Sequence, residues 1–236
     1  MTEPRRKYLL AFDCATGPIS AALARDGKII SCDKSNEERA ESEMLLPMLH
    51  RLLKNEGKSP SDIGGILMTI GPGSFTGLRI SCAIGQAIKA TLGIDAFTIP
   101  APLAISLNSG LSEGRLRVVQ NAYKGEVYIA DYSFSSGKPA LETEIRISTP
   151  EGCLKTLDKS QMLIGFGVEK LRQQFTDFDW EGRIKPGSGH PEAAVMLEAF
   201  LEGTINPAPV ETVLPFYIRP PEAELNYARK HGMPTT

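Results

Sequence analysis

Residues 65–80 read GILMTIGPGSFTGLRI: an apolar run, a glycine-rich turn and further apolar positions. The run Gly65–Ile70 is short and bounded by glycines, which is typical of a buried strand. The turn Gly71–Thr76 leads into a pattern that predicts a helix ending at about Leu92. A buried strand that enters a helix through a tight turn is a unit of α/β sheets, so this stretch indicates the fold class.

The flanking segments extend this unit into a sheet. Three antiparallel strands are predicted before it, and the hairpin signal Asp26-Gly27 joins the last two. The predicted elements around the unit are strands at Tyr8–Ala15, Ile19–Leu23 and Lys28–Ser31, a helix at about Ala40–Glu56, a strand at Ala96–Ile99 and a helix at Pro102–Asn108. Hairpins followed by strand–helix alternation predict a mixed sheet with helices on both faces.

The second half opens in the same way. Its predicted strands are Arg117–Gln120, Glu126–Phe134 and Glu142–Ile147, with a Ser-Ser-Gly-Lys-Pro turn between the last two. The residues show no repeat, but two halves that both open with strand meanders indicate a duplicated architecture. The final 30 residues contain six of the 17 prolines, which predicts an irregular tail on the surface.

Composition excludes several classes of protein. Of the 236 residues, 42% are hydrophobic and 23% are charged, which excludes wholesale disorder. The net charge of −2 gives no electrostatic footprint for nucleic acid, so we expect only weak sequence-independent binding of DNA or RNA by this chain alone. The longest charge-free run, Ala96–Ser112, is too short and too rich in proline to span a membrane. The four cysteines are widely spaced, which predicts free thiols and a cytoplasmic protein.

Catalytic chemistry finds few candidates in the sequence. His50, His190 and His231 each lack a second histidine or cysteine at the spacing of metal ligands, so no metal site is predicted. None of the nucleophile motifs of serine or cysteine hydrolases occurs. We therefore predict no catalytic residues.

Two stretches are candidates for an anion site. The turn residues Gly73, Ser74 and Thr76 could aim backbone N–H groups at a phosphate, or they could form a tight connection in which Ser74 or Thr76 caps the helix. Asp13, with Thr16 after it, could hold a metal-phosphate group, or it could form a turn. The turn is not a Walker loop, because Leu78 follows Gly77 where that motif requires lysine.

The first long helix carries more apolar residues than one core face needs. Leu45, Leu49, Leu52 and Leu53 form the predicted core stripe, and Met44, Leu46 and Met48 lie outside it. This excess indicates a second apolar face, which could meet a partner or could be buried within the same domain.

The second long helix carries two adjacent rows. Ile80, Ile84, Ala87 and Ile88 form its predicted core stripe, while Gly77, Ser81 and Gly85 form a row of small side chains. A row of this kind lets another helix approach closely, and that helix could belong to this chain or to a partner.

These motifs resemble one family over nearly the whole chain. The resemblance is strongest at Gly71–Ile80 and is supported by Tyr8–Thr16, Ser42–Pro47, Gly125–Tyr128 and Tyr217–Arg219. The chain resembles the TsaB (YeaZ) family, bacterial partners in the synthesis of threonylcarbamoyladenosine in tRNA.

The resemblance implies a duplicated α/β fold of the actin, sugar-kinase and Hsp70-like (ribonuclease H-like) class, with mixed sheets flanked by helices. It implies a first subdomain at 1–108, a reduced second subdomain at 109–206, and a tail at 207–236 that returns to the first.

The resemblance also implies a non-catalytic scaffold and activating subunit that pairs with TsaD, the catalytic paralogue, and with itself, while the ATPase TsaE joins the complex. ATP and metal are then expected on the partner subunits, with no cofactor required by this chain. The interface implied by the resemblance and by the two helices comprises Met44, Met48, Arg51, Gly77, Leu78, Ser81, Gly85 and Lys89.

The sequence departs from the family pattern at three places, which weakens the expectation of nucleotide binding. Cys14-Ala15 replaces the usual Thr-Ser, Glu41 replaces a common histidine, and Asn121-Ala122-Tyr123 replaces Asp-Ala-Arg. The alternatives are a phosphotransferase of the sugar-kinase type that uses Asp13 and the glycine-rich turn, and a metallopeptidase, which lacks ligands.

Overall fold

The computed structural model describes residues 8–35 and 44–219, together with Lys230. Predictions that involve Glu41, Ser42, His231, the start of the first helix or the tail beyond Arg219 lie outside the described residues.

The described residues of the first half form five strands and three α-helices. They are β1 Tyr8–Asp13, β2 Ser20–Arg25, β3 Lys28–Lys34, α1 Leu45–Asn55, β4 Ile63–Thr69, α2 Phe75–Leu92, β5 Asp95–Ile99 and α3 Ala101–Leu107. The strands form one sheet in the order β3-β2-β1-β4-β5. β1–β3 are antiparallel to one another, whereas β4 and β5 run parallel to β1. The central strand β1 is buried except at the partly buried Leu9, because helices cover both faces of the sheet.

The second half repeats this plan with shorter helices. Its elements are β6 Gly114–Asn121, β7 Val127–Ser135, β8 Lys138–Leu141, β9 Arg146–Ser148, α4 Pro150–Lys155, β10 Gln161–Ile164, α5 Val168–Gln174 and α6 Ala193–Leu201. Its sheet has the order β10-β6-β7-β8, and β9 also pairs with β7. A single parallel bridge between Leu163 and Ile184 occupies the place of a fifth strand.

The two halves exchange their last helices. Ile105 of α3 packs into the core of the second sheet with Leu116 and Tyr132. Met196 and Leu197 of α6 pack into the core of the first sheet. A division by sequence at residue 109 therefore assigns α6 to the second half although its apolar side chains are buried against the first.

The third strand of the second half differs from its prediction. We expected one strand over Glu142–Ile147, but the structure has β8 at Lys138–Leu141 and β9 at Arg146–Ser148. The tight turn at Ser136 and Gly137, both at positive φ, starts β8 directly after β7. Lys138 and Pro139, which we assigned to the turn, belong to the strand, and proline is tolerated there because β8 lies at the sheet edge.

The predicted fold class is confirmed. The described residues form two mixed sheets, each flanked by helices, and the two sheets follow the same order of strands.

Candidate functional site

The helix α1 buries one face and exposes another. Leu45, Leu49, Leu52 and Leu53 are buried as predicted. Met48 is also buried, at 4% exposure, so its place is in the core of this chain and not on a free surface. Met44, directly before α1, and Leu46 are 50% and 55% exposed, so two large apolar side chains face water here.

The helix α2 is rotated relative to our prediction. Its buried residues are Gly77, Leu78, Ser81, Cys82 and Gly85, so the row of small residues faces the sheet of the same chain. The predicted core stripe lies instead at the edge of the core and on the outer side. Ile84 and Ile88 are only partly buried and Ala87 is exposed.

Close packing explains the small residues of α2. A Cβ at Gly85 would lie 2.4 Å from Met68 Sδ, and one at Gly77 would lie 2.7 Å from the Cys14 carbonyl oxygen. Ser81 and Leu78 are buried at 0% and 1% exposure. The expectation that Gly77, Leu78, Ser81 and Gly85 line a seam between subunits is therefore wrong: their contacts are within the chain. The same holds for Met48.

Several apolar residues of α1 and α2 are exposed or only partly buried, and we call them the outer face. It comprises Met44, directly before α1, Leu46 of α1, and Ile80, Ala83, Ile84, Ala87 and Ile88 of α2. A groove of about 390 Å³ runs between the helices, with mostly apolar walls that include Leu46, His50, Ala87 and Thr91. An exposed apolar groove on a water-facing pair of helices is typical of a protein–protein contact.

Two charged residues of the implied interface lie beside this surface. Arg51 is exposed and forms an ion pair with Asp33 on β3. Lys89 is half-buried in the last turn of α2. Their role in an interface, and that of Met44, stays a prediction.

The second candidate site, around Asp13, is enclosed by the protein. Asp13 is fully buried at the end of β1 and accepts hydrogen bonds from the Thr16 hydroxyl at 2.7 Å and from the Thr69 hydroxyl. The backbone N–H groups of Ala15 and Thr16 also donate to this carboxyl group. Burial raises the pKa of Asp13 above its ordinary value, although these hydrogen bonds act against the rise. A metal or phosphate would have to displace donors that already occupy the carboxylate.

The glycine-rich turn makes its contacts within the chain as well. The Ser74 N–H donates to the Ala15 carbonyl at 2.7 Å, and a Cβ at Gly73 would lie 2.4 Å from that same oxygen. Ser74 caps α2, since its hydroxyl accepts from the Gly77 N–H, while Thr76 is exposed. The turn is thus packed against the β1–β2 loop, and an anion site formed by Gly73, Ser74 and Thr76 stays a prediction without direct support.

Sequence reasoning missed the residues that join the two halves near this turn. His190 stacks on Phe166 at 4.6 Å between ring centroids, and its Nδ1 lies 2.7 Å from the Thr16 carbonyl oxygen. Gln120 is buried at the end of β6, and its amide donates to the Pro72 carbonyl at 3.4 Å. Gly17 was the available signal, because a Cβ there would lie 2.5 Å from the His190 ring.

The described part of the chain supports neither a metal site nor a reactive cysteine. It contains no group of three or more histidine, cysteine, aspartate or glutamate residues that could hold a metal ion. Burial raises the pKa of the Cys14 thiol to about 12 and those of Cys82 and Cys153 to about 11, which keeps all three protonated at neutral pH. Among the described residues, no helix is long and apolar enough to cross a membrane.

Known proteins share both the sequence and the fold. A sequence model of the TsaD family, described as tRNA N6-adenosine threonylcarbamoyltransferase, matches residues 35–156, which is more than half of the chain. The tRNA threonylcarbamoyladenosine biosynthesis protein TsaB of Bacillus subtilis (strain 168) is 24% identical over 223 residues, covering 93% of this chain and 97% of the relative. The protein of the same name from Escherichia coli (strain K12) is 32% identical over 130 residues, covering 52% of this chain and 54% of the relative.

The solved structure of YeaZ from Pseudomonas aeruginosa has the same fold, with a TM-score of 0.71, 23% identity, and coverage of 89% of this chain and 99% of that one. The chain therefore belongs to the TsaB (YeaZ) family, whose sequences are related to the TsaD family.

Proposed function

We propose that this chain is a non-catalytic subunit in the synthesis of threonylcarbamoyladenosine in tRNA, and that its outer face binds a TsaD-like catalytic subunit. Membership in the TsaB family supports the pathway, because the relatives are named for it. The same face would also serve for self-association. TsaE, ATP and metal would join through the partner, in the cytoplasm, and tRNA would be contacted weakly or indirectly.

The observation that carries this proposal is the outer face. Leu46 is 55% exposed on α1, exposed Ala87 lies across the groove on α2, and Ala83 is exposed one turn before it. Small and branched apolar side chains on two neighbouring helices leave ridges and grooves into which a second helix pair can pack. The large aliphatic groups would then leave water, which contributes about 25 cal/mol per Å² of apolar surface buried.

The enclosed Asp13 supports the absence of catalysis by this chain. A phosphotransferase needs a carboxylate that can reach metal or substrate, whereas four donors already surround this one. The alternative of a sugar-kinase activity therefore has no specific observation in its favour. Appreciable ATP turnover by the isolated chain that is lost in Asp13→Ala would revive that alternative.

The proposed interface is tested by adding a charge to it. Leu46→Glu and Ala87→Glu should each weaken binding to the TsaD of the same organism by at least about tenfold, because an unpaired carboxylate would be buried on association. Leu141→Glu is the matched control, since Leu141 is 48% exposed on β8 in the second half. Isothermal titration calorimetry measures binding to TsaD, and sedimentation measures self-association.

Thermal melts should show that all three variants fold. If Leu46→Glu and Ala87→Glu bind TsaD as tightly as the unmodified chain, the outer face is not the interface. If only Leu141→Glu weakens binding, the contact lies on the second half.

A further inference from the structure

The C-terminal segment of residues 207–219, which we call the strap, is bound along the first half. Pro209 forms a bridge with Phe97 of β5, and the Val210 N–H donates to the Ala96 carbonyl at 2.8 Å. The Val213 N–H donates to the Gln86 side chain of α2 at 2.8 Å. The strap thus covers the open edge of β5 and continues beside α2.

The strap then reaches the glycine-rich turn, where aromatic and cationic side chains hold it. The Phe216 N–H donates to the Ile70 carbonyl at 2.8 Å, directly before the turn. Tyr217 packs on Phe75 with ring centroids 5.5 Å apart. Arg79 lies 3.9 Å from the centre of the Phe75 ring, and its Nε donates to the Tyr217 hydroxyl at 3.3 Å. A cation over an aromatic face adds attraction to the burial of the rings.

The last residue of the strap crosses to the other half. Arg219 Nη2 forms an ion pair with the carboxylate of Glu126, in the turn that leads into β7. Both side chains are 29% exposed, so water screens the pair only in part. Three stretches quoted for the sequence resemblance, around Phe75, Glu126 and Tyr217, therefore meet at one place in the structure.

We infer that the strap is a clasp that holds the two halves in one relative position. The chain crosses between the halves after α3 and again before α6, and these crossovers are joined, since the Asn108 side chain donates to the carbonyls of Ser188 and His190. Two adjacent crossovers permit rotation about the line between them. The strap is fixed to the first half by its backbone and to the second by Arg219, so it restrains that rotation.

Charge reversal tests the clasp in the full-length chain. Glu126→Lys and Arg219→Glu each turn an attraction into a repulsion, whereas the double variant restores the pair in the opposite sense. Hydrogen exchange of the Val213 and Phe216 amides reports on the strap, because both amides are bonded to the first half. We expect each single variant to accelerate their exchange by about 5- to 30-fold and the double variant to recover most of the protection.

The matched control is the pair Arg172–Glu169, which lies within α5 and joins no two halves. Glu169→Lys should leave the Val213 and Phe216 amides unchanged. The relative position of the halves is measured by pulsed electron spin resonance between nitroxide labels at Ala90→Cys and Ala140→Cys, both exposed, on a Cys32→Ser background. The distance distribution should broaden in the single variants and narrow again in the double variant.

Exchange and distance that do not respond to either single variant would overturn the clasp. If the amides of the double variant exchange as fast as those of the single variants, and its distance distribution is as broad, the Arg219–Glu126 pair does not hold the strap. If a single variant fails to fold, Tyr217→Phe, which removes only the acceptor for Arg79, provides the smaller perturbation and should accelerate the same amides. Binding of TsaD through α1 and α2 is measured separately, so the two proposals can fail independently.

Discussion

The two halves share one strand order, but they bury side chains of different chemistry on their corresponding strands. Phe12 of β1 faces the core that contains α1, and Val119 of β6 faces the core that contains α4. Two residues before each of these lie the cross-strand pairs Leu10–Leu23 in the first half and Arg117–Asp131 in the second. An apolar pair and an ion pair, all four residues buried, thus lie on the corresponding strands of the two halves.

The ion pair of the second half is fully bonded. Arg117 donates to both oxygens of Asp131, at 2.6 and 2.9 Å, and also to the Cys153 carbonyl at 2.6 Å. Asp131 accepts further hydrogen bonds from Gln161 at 2.7 Å and Arg146 at 3.1 Å. Burial acts to raise the pKa of Asp131, but the bonds and charges of Arg117 and Arg146 outweigh it and hold that pKa below its ordinary value.

The difference shows that strand order does not dictate core chemistry. In the first half, long helices of 11 and 18 residues bury apolar pairs and retain an exposed apolar surface. In the second half, helices of six and seven residues leave backbone carbonyls such as that of Cys153 near the sheet, where they accept from Arg117. The exposed apolar residues of the first half are those of the proposed interface, whereas in the second half the buried pair Arg117–Asp131 is hydrogen-bonded within the chain.

The largest effect is expected from breaking the ion pair. Arg117→Met or Asp131→Leu alone should lower the free energy of unfolding by about 3–5 kcal/mol, because one buried charge is left uncompensated. The double variant, which copies the apolar pair of the first half, should recover most of that loss. Urea unfolding followed by circular dichroism measures all three. A double variant as unstable as the singles would show that the second half depends on the ion pair itself.

A smaller loss of stability is expected from a substitution on α2, where small residues bring the helix close to the sheet. In the second half, α5 packs with the larger Val168 and Leu171 instead. Gly85→Leu should lower the free energy of unfolding by about 1–3 kcal/mol, because the new side chain overlaps Met68. Ala83→Leu, at an exposed position of the same helix, is the control and should stay within about 0.5 kcal/mol of the unmodified chain. Equal stability of the two variants would contradict the close packing at Gly85.

The same helix shows where sequence reasoning reached its limit. The order of strands and helices and the glycine turn were sufficient to predict the fold, because they follow from local patterns. The orientation of α2 could not be predicted from such patterns, since a stripe of isoleucines and a row of small residues are both compatible with helical periodicity. Met68 and Ile66 fill the space opposite Gly85, and only their position in the sheet decides which face is buried.

The contacts between the halves could not be predicted from the sequence for the same reason. His190 meets Thr16, and Arg219 meets Glu126, across more than 90 residues of chain. Neither histidine nor arginine carries a local signal for such a partner. Gly17 gave the strongest hint, because the absence of a side chain can mark a place where another segment approaches, here the His190 ring.

The smallest effect is expected in the pH dependence, where the buried carboxylates of the two halves act in opposite senses. Because the pKa of Asp13 is raised, the folded chain binds more protons there, and the free energy of unfolding should increase as the pH falls from neutral towards about 4. Because the pKa of Asp131 is lowered, its contribution is present above about pH 4 and is lost as the pH falls further. One proton can change the free energy by no more than about 1.4 kcal/mol per pH unit.

The variant Asp13→Asn separates the two contributions. It should abolish most of the increase in the free energy of unfolding between pH 7 and about pH 4 and preserve the decrease below pH 4, as measured by urea unfolding from pH 7 to pH 3. Asp26→Asn, at an exposed position, is the control. A variant that retains the increase above pH 4 would show that Asp13 is not its source.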